Sequence, residues 1–214
     1  MFKEFRRNVH SQNGEDGIIS NIISRLPESI LTKWAVEFGA WDGKIYSNTL
    51  NLVKKGWQSV MIEGDVAQTE ALNNTAKEFP GIVPIISFVG KNADDDNSLF
   101  NILEDTDVPA DFDVLSIDID SYDSDIWDSF VGYTPKIVVI EVNSDTPVGT
   151  YHRHKDGVVP GGTSFSEMLD LGIKKGYTLV CHTGNCIFVR NDLVNHLGMP
   201  QNLLDNPNTL FKGP

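Results

Sequence analysis

The densest concentration of reactive side chains is Asp118-Ile119-Asp120-Ser121-Tyr122-Asp123-Ser124-Asp125, where four carboxylates follow the apolar run Val114-Leu115-Ser116-Ile117. Like charges this close repel by several kcal/mol at low effective dielectric, so a proton, a cation or full hydration must relieve them. A second run, Ile137-Val138-Val139-Ile140, ends in Glu141-Val142-Asn143 and adds oxygen ligands of the kind that Mg²⁺ or Mn²⁺ takes. Val142 separates that pair, and alternation turns Glu141 and Asn143 to one side only if the chain stays extended. Asp123 and Asp125 stand just before Ile126-Trp127 and read as caps of the helix that follows.

A different chemistry is written earlier. Glu37-Phe38-Gly39-Ala40-Trp41-Asp42-Gly43 closes the apolar run 34–38, and its glycines would let backbone approach a ligand at the start of a helix. A dinucleotide fingerprint would need glycines at 39, 41 and 44, where this chain has Gly39, Trp41 and Lys44, so a pyrophosphate would meet an indole. The next apolar run ends in Glu63, an acid placed where a carboxylate can accept both hydroxyls of a ribose. His152 and His154 lie in the long stretch 144–162, a candidate active-site loop in which they would serve as lid, substrate clamp or base.

These residues need a scaffold that gathers the ends of successive strands. Apolar runs over 34–39, 59–63, 82–86, 112–117 and 137–142 read as five buried strands, and helices are expected over 50–53, 68–79, 98–105, 125–131 and 165–175. Runs apolar on both faces suit parallel strands covered by helices on each side. The stretches 177–181 and 186–190, joined at Thr183-Gly184-Asn185, predict a closing antiparallel hairpin. The expectation is therefore a Rossmann-like, doubly wound α/β sheet of about seven strands, mostly parallel, in one domain over 1–214. Residues 1–30 form an N-terminal helical segment in this reading, with Ile18, Ile19, Ile22, Ile23 and Leu26 at helical spacing. The chain from Pro200 onward reads as a polar tail without chemistry.

Composition bounds the partners. A net charge of -13 disfavours a nucleic-acid substrate, and no apolar run approaches the roughly 20 residues of a membrane span. Two cysteines and no apolar leader make a reduced, cytoplasmic protein the expectation.

Taken together, Glu37-Phe38-Gly39-Ala40-Trp41-Asp42-Gly43 and Ile62-Glu63-Gly64-Asp65 resemble the first two motifs of class I S-adenosylmethionine-dependent methyltransferases, and most closely the FkbM-like group. The likeness runs from Ser11-Gln12-Asn13-Gly14-Glu15-Asp16-Gly17 through Ser47-Asn48-Thr49 to the final hairpin. It implies that Glu37, Gly39 and Gly43 surround the methionine part of S-adenosylmethionine, that Glu63 holds its ribose, that Phe88 stacks on adenine, and that Ala40 and Gly64 also belong to the cofactor site. Gln12, Glu15, Asp16, Asn48, Thr49 and Asp118 join the cofactor-binding set by the same resemblance. Asp118-Ile119-Asp120-Ser121-Tyr122-Asp123-Ser124 is similar to the acidic motif of macrocin-type, metal-dependent O-methyltransferases, which expect two adjacent acids after the fifth strand where this chain has Glu141-Val142-Asn143. That likeness assigns the metal to Asp118, Glu141 and Asn143 and the general base to Asp120. The implied activity is metal-assisted O-methylation of a sugar, glycan or other small-molecule hydroxyl, as in polysaccharide biosynthesis. N-methylation, a metal-dependent nucleotide-sugar glycosyltransferase and a non-catalytic nucleoside-binding protein are the alternatives. Oligomeric state is left open, a homodimer among the options.

Overall fold

The computed structural model describes residues 1–158 and 161–213. Helix α1 (Glu15–Arg25) leads into β1 (Trp34–Phe38), α2 (Leu50–Val53), β2 (Gln58–Glu63), α3 (Thr69–Glu78), β3 (Ile82–Ile86), α4 (Leu99–Glu104) and β4 (Val114–Ile117). Helix α5 (Asp123–Ser129), β5 (Ile137–Glu141), α6 (Phe165–Lys174), β6 (Tyr177–His182), β7 (Asn185–Arg190) and α7 (Gln201–Asp205) complete the order.

The strands form one seven-stranded sheet in the order β3-β2-β1-β4-β5-β7-β6. The first five are parallel, and β7 inserts antiparallel between β5 and β6. The expected α/β class, strand number and final hairpin are all present. Alternation along β5 shows why its run is apolar throughout: Val138 and Ile140 join the core beneath α5 and α6, whereas Ile137 and Val139 pack with Ile18, Ile19 and Ile22 of α1. Strand order reverses between β1 and β4, and in such sheets the ligand crevice opens there, beyond the carboxyl ends. Among the described residues no helix is long and apolar enough to cross a membrane.

The helix expected over 125–131 begins at Asp123, and the caps assigned to Asp123 and Asp125 are absent. The N-cap position is Tyr122, with no side-chain cap bond. Buried Asp123 instead reaches back to accept the backbone N–H groups of Ile119 and Ser121, each at 2.9 Å. It shapes the loop after β4 rather than the helix.

The tail is not featureless. After α7, Leu210 is buried in the main core, Lys3 donates to its carbonyl at 2.8 Å, and the Phe211 ring stacks on His182 at 5.2 Å. His182 is buried at the end of β6, and its Nδ1 accepts the Lys212 N–H at 2.9 Å while Nε2 lies 3.1 Å from Ser144 Oγ. Accepting through Nδ1 requires the neutral ring, so Nε2 carries the proton and donates to Ser144. Burial pushes the imidazole down to about 4. A depressed histidine binds protons more readily when unfolded, so its contribution is complete above the unfolded value near 6.5 and is lost as pH falls toward 4. Urea unfolding between pH 7 and 4 should show a loss of roughly 3 kcal/mol from this ring. The His182→Gln variant should lack that part of the pH slope.

Candidate functional site

Beyond the carboxyl ends of β1, β2 and β4 lies a cavity of about 790 Å³. Among the described residues four non-glycine residues have left-handed backbone, and three of them, Trp41, Tyr46 and Asp120, line this cavity. Such conformations cost roughly 1–3 kcal/mol each and concentrate where function holds them.

Gly39 makes the crevice possible. Its φ is 76°, and a Cβ there would lie 1.7 Å from the carbonyl oxygen of Asp118. The end of β1 therefore touches the end of β4, which is what brings the first glycine motif and the acidic motif into one space. Glu37 is buried at the base of that contact. It accepts Asn48 N–H at 2.7 Å and the hydroxyls of Ser47 and Thr49 at 2.6 Å each. Burial raises its pKa, and the bonds from Ser47, Thr49 and Asn48 oppose that rise. Glu37 thus folds the 47–49 turn. The turn presents Asn48, whose Nδ2 donates to Ser116 and whose buried Oδ1 has no partner. A buried acceptor left without a partner carries a desolvation cost.

Glu63 ends β2 half-buried. Its Oε2 accepts Trp41 N–H at 2.6 Å and its Oε1 accepts Asp65 N–H at 2.7 Å. Each carboxylate oxygen has two acceptor positions, so one remains on each for a vicinal diol. Phe88 is 73% exposed at the mouth and packs over Gly64, where a Cβ would fall 2.8 Å from the ring. It is a rim aromatic rather than a core one.

Asp118, Asp120 and Glu141 present carboxylate oxygens all within 4.8 Å of one another. Burial, then the neighbouring acids Asp123 and Asp120, raise Asp118 to about 7. Burial, then Asp118 and Asp120, raise Glu141 to about 8. Two acids that hold protons near neutrality, facing a third, form a donor set that fits a hard divalent cation.

The structure does not bring every candidate to this place. Gln12, Glu37, Gly39, Ala40, Asn48, Glu63, Gly64, Phe88, Asp118, Asp120 and Glu141 line the cavity. Gly43 and Thr49 stand behind the wall, where Gly43 packs on Leu72 and Met61, and Thr49 binds Glu37. Glu15 is buried and bonds to Asn13 N–H, Thr183 and Asn185, tying α1 to the final hairpin. Asp16 accepts the N–H groups of Val9, His10 and Ser11 through one oxygen, which folds the N-terminal segment. Asn143 spends its side chain on the following loop: Nδ2 donates to Gly161, and Oδ1 accepts from Asp145 N–H and Thr146. Asp120 stands where Asn143 was expected in the acidic cluster.

His152 and His154 do not line the cavity. Their loop is turned toward α5 and α6, where Arg153 pairs with Asp128 at 3.0 Å and Glu167 at 2.7 Å. The His152 carbonyl accepts Ser164 N–H at 3.0 Å, the His152 N–H donates to Ser164 Oγ at 3.1 Å, and His154 Nδ1 accepts Gly162 N–H at 3.2 Å. Residues 159 and 160 of the expected 144–162 loop lie outside the described residues. Ile45, Tyr46 and Val66 line the cavity from outside every motif of the sequence, and Asp65 and Ser121 line it from within motifs that give them no role of their own. In the sequence Trp41 stands out only by breaking a glycine pattern.

No family model matches the chain, and no curated protein matches it in sequence. Solved structures share its fold. The N-terminal domain of EvdMO1 with SAH bound aligns at a TM-score of 0.50 and 12% identity, over 84% of this chain and 80% of that one. Monomeric WbdD aligns at 0.54 and 14%, over 86% of this chain and 42% of that one. The CMeT domain of the citrinin polyketide synthase aligns at 0.51 and 11%, over 82% and 51% respectively. This chain thus spans about half or less of the latter two. At these identities the likeness establishes a common Rossmann-like architecture.

Proposed function

We propose that the chain is an S-adenosylmethionine-dependent methyltransferase acting on a hydroxyl of a sugar or other small molecule, assisted by a divalent cation. One observation carries the reading. The cavity at the strand-order reversal is lined by six carboxylates, Glu37, Glu63, Asp65, Asp118, Asp120 and Glu141, and by no Lys or Arg among the described residues. A nucleoside ligand with net positive charge fits such a wall, and a sulfonium amino acid joined to adenosine has that charge. The phosphates of NAD or a UDP-sugar would find no Lys or Arg in this wall and could be met only through the cation of the acidic cluster. The SAH bound to the EvdMO1 domain, a neighbour of the same fold, is further support.

When bound, the sulfonium supplies a methyl group that is already activated. The residues then bind, orient and move a proton. Glu63 holds the ribose diol, Gly64 and Phe88 enclose the base, and Asn48 with the end of β1 fixes the amino-acid part. Asp120, the exposed acid of its cluster, takes the proton of the acceptor hydroxyl. Asp118 and Glu141 would hold the cation, whose Lewis acidity would lower the hydroxyl pKa.

Calorimetry with S-adenosylmethionine and SAH tests the cofactor, with UDP-glucose and NAD as comparisons. Saturable SAH binding is expected; saturation by UDP-glucose with no SAH heat would replace the reading with a glycosyltransferase. The cation is tested by Mn²⁺ titration followed through the spin resonance of the free ion. Because Asp118 and Glu141 hold protons to about 7 and 8, the ion must displace them at lower pH. Affinity should therefore climb up to about tenfold per pH unit for each displaced proton between pH 6 and 7, then level off above pH 8. Asp118→Asn and Glu141→Gln should each abolish binding. Flat affinity across that range would remove the cation from the mechanism.

A further inference from the structure

The loop between β1 and α2 displays Trp41, Ile45 and Tyr46 into the cavity at 46%, 49% and 54% exposure. Nothing about a turn asks for these residues. Trp41 and Tyr46 have φ of 49° and 61°, backbone that glycine or asparagine adopts at far lower cost. The loop is nonetheless held firmly. Asp42 Oδ1 accepts the N–H groups of Lys44 and Ile45 at 2.8 Å each, and Thr75 donates to the Asp42 carbonyl at 2.7 Å. Trp41 N–H is fixed by Glu63, and Tyr46 bridges to Ser11 of the N-terminal segment. Two aromatic rings on strained backbone, exposed yet locked at both ends, are a prepared surface.

We infer that Trp41, Ile45 and Tyr46 form the platform on which the methyl acceptor lies, and that the acceptor is a ring-bearing molecule without phosphate or carboxylate groups. The inference rests on the methyltransferase reading, which uses Glu63, Asn48, Gly39 and Phe88 for the cofactor and leaves this wall free. Aromatic faces take the flat apolar side of a ring while its polar edge stays free to reach Asp120. Glu63, Asp65 and Asp120, the acids of this wall that are neither assigned to the cation nor buried at its base, would disfavour an anionic acceptor and tolerate a neutral or cationic one.

The test is saturation-transfer NMR on the full chain with saturating SAH. The probes are ring-containing fragments in matched pairs, each a neutral or cationic alcohol beside its phosphate or carboxylate counterpart. Neutral or cationic members should bind, with the anionic partners at least tenfold weaker. Trp41→Ala and Tyr46→Ala should each reduce the surviving signals at least fivefold while SAH affinity changes less than threefold. Trp41→Gly, which relieves the backbone, should keep or raise the melting midpoint. Equal binding of the anionic partners, no fragment binding at all, or a fall in SAH affinity that matches the fall in fragment signal would each overturn the platform. So would a lowered midpoint in Trp41→Gly, since the ring would then be structural. Absence of SAH binding in the unmodified protein is a different failure, and sinks the methyltransferase reading before any fragment is added.

Discussion

Gly39→Ala should lose at least about 3 kcal/mol of stability and all detectable SAH binding. The added carbon would sit 1.7 Å from the Asp118 carbonyl oxygen, and neither partner is a side chain that can swing away. Relief requires β1 and β4 to separate at their ends, where the glycine motif and the acidic cluster meet. Gly176→Ala provides the comparison. Its φ of 85° is equally left-handed, but nothing lies within 4 Å of a Cβ there. That variant should show only the conformational penalty of about 1–2 kcal/mol and bind SAH normally. Urea unfolding and calorimetry on the two proteins separate backbone strain from collision. If both variants fall by the same amount, the contact between strand ends is not what holds the crevice.

Glu63→Ala should weaken SAH binding by about a hundredfold. The carboxylate has one free acceptor position on each oxygen, and two bonds to a diol at roughly 1.5 kcal/mol or more apiece amount to that factor. Part of the loss comes through the protein itself, because the same carboxylate fixes the Trp41 and Asp65 amides that frame the site. Glu63→Gln keeps one acceptor oxygen and should retain about a tenth of the affinity, given the weaker neutral bond. Stability should change by no more than about 1 kcal/mol in either variant, since Glu63 is half-buried and bonds only to loop amides. SAH binding unaltered in Glu63→Ala would end the ribose assignment.

The order of elements was legible because its signals are local. Doubly apolar runs such as Ile137-Val138-Val139-Ile140 announce strands covered on both faces, and the Thr183-Gly184-Asn185 turn announces the hairpin. Strand ends were legible as the lining of a common crevice for the same reason, and Glu37, Glu63, Asp118, Asp120 and Glu141 do converge on one cavity. Side-chain direction was not legible. Glu15, Asp16 and Asp123 look like ligand or capping acids in a list of residues, yet each is turned inward to satisfy backbone amides of its own loop. The histidine loop was misplaced because its direction is set by Arg153, whose partners Asp128 and Glu167 lie 25 and 14 residues away in the chain.

The sequence alone determined the α/β sheet, its closing hairpin and the strand tips at which chemistry could occur, because periodicity and turn chemistry act over a few residues. Only the tertiary structure decided which carboxylates face the cavity and which hold the scaffold. That choice depends on contacts such as Gly39 against Asp118, distant in the chain and brought together by strand order.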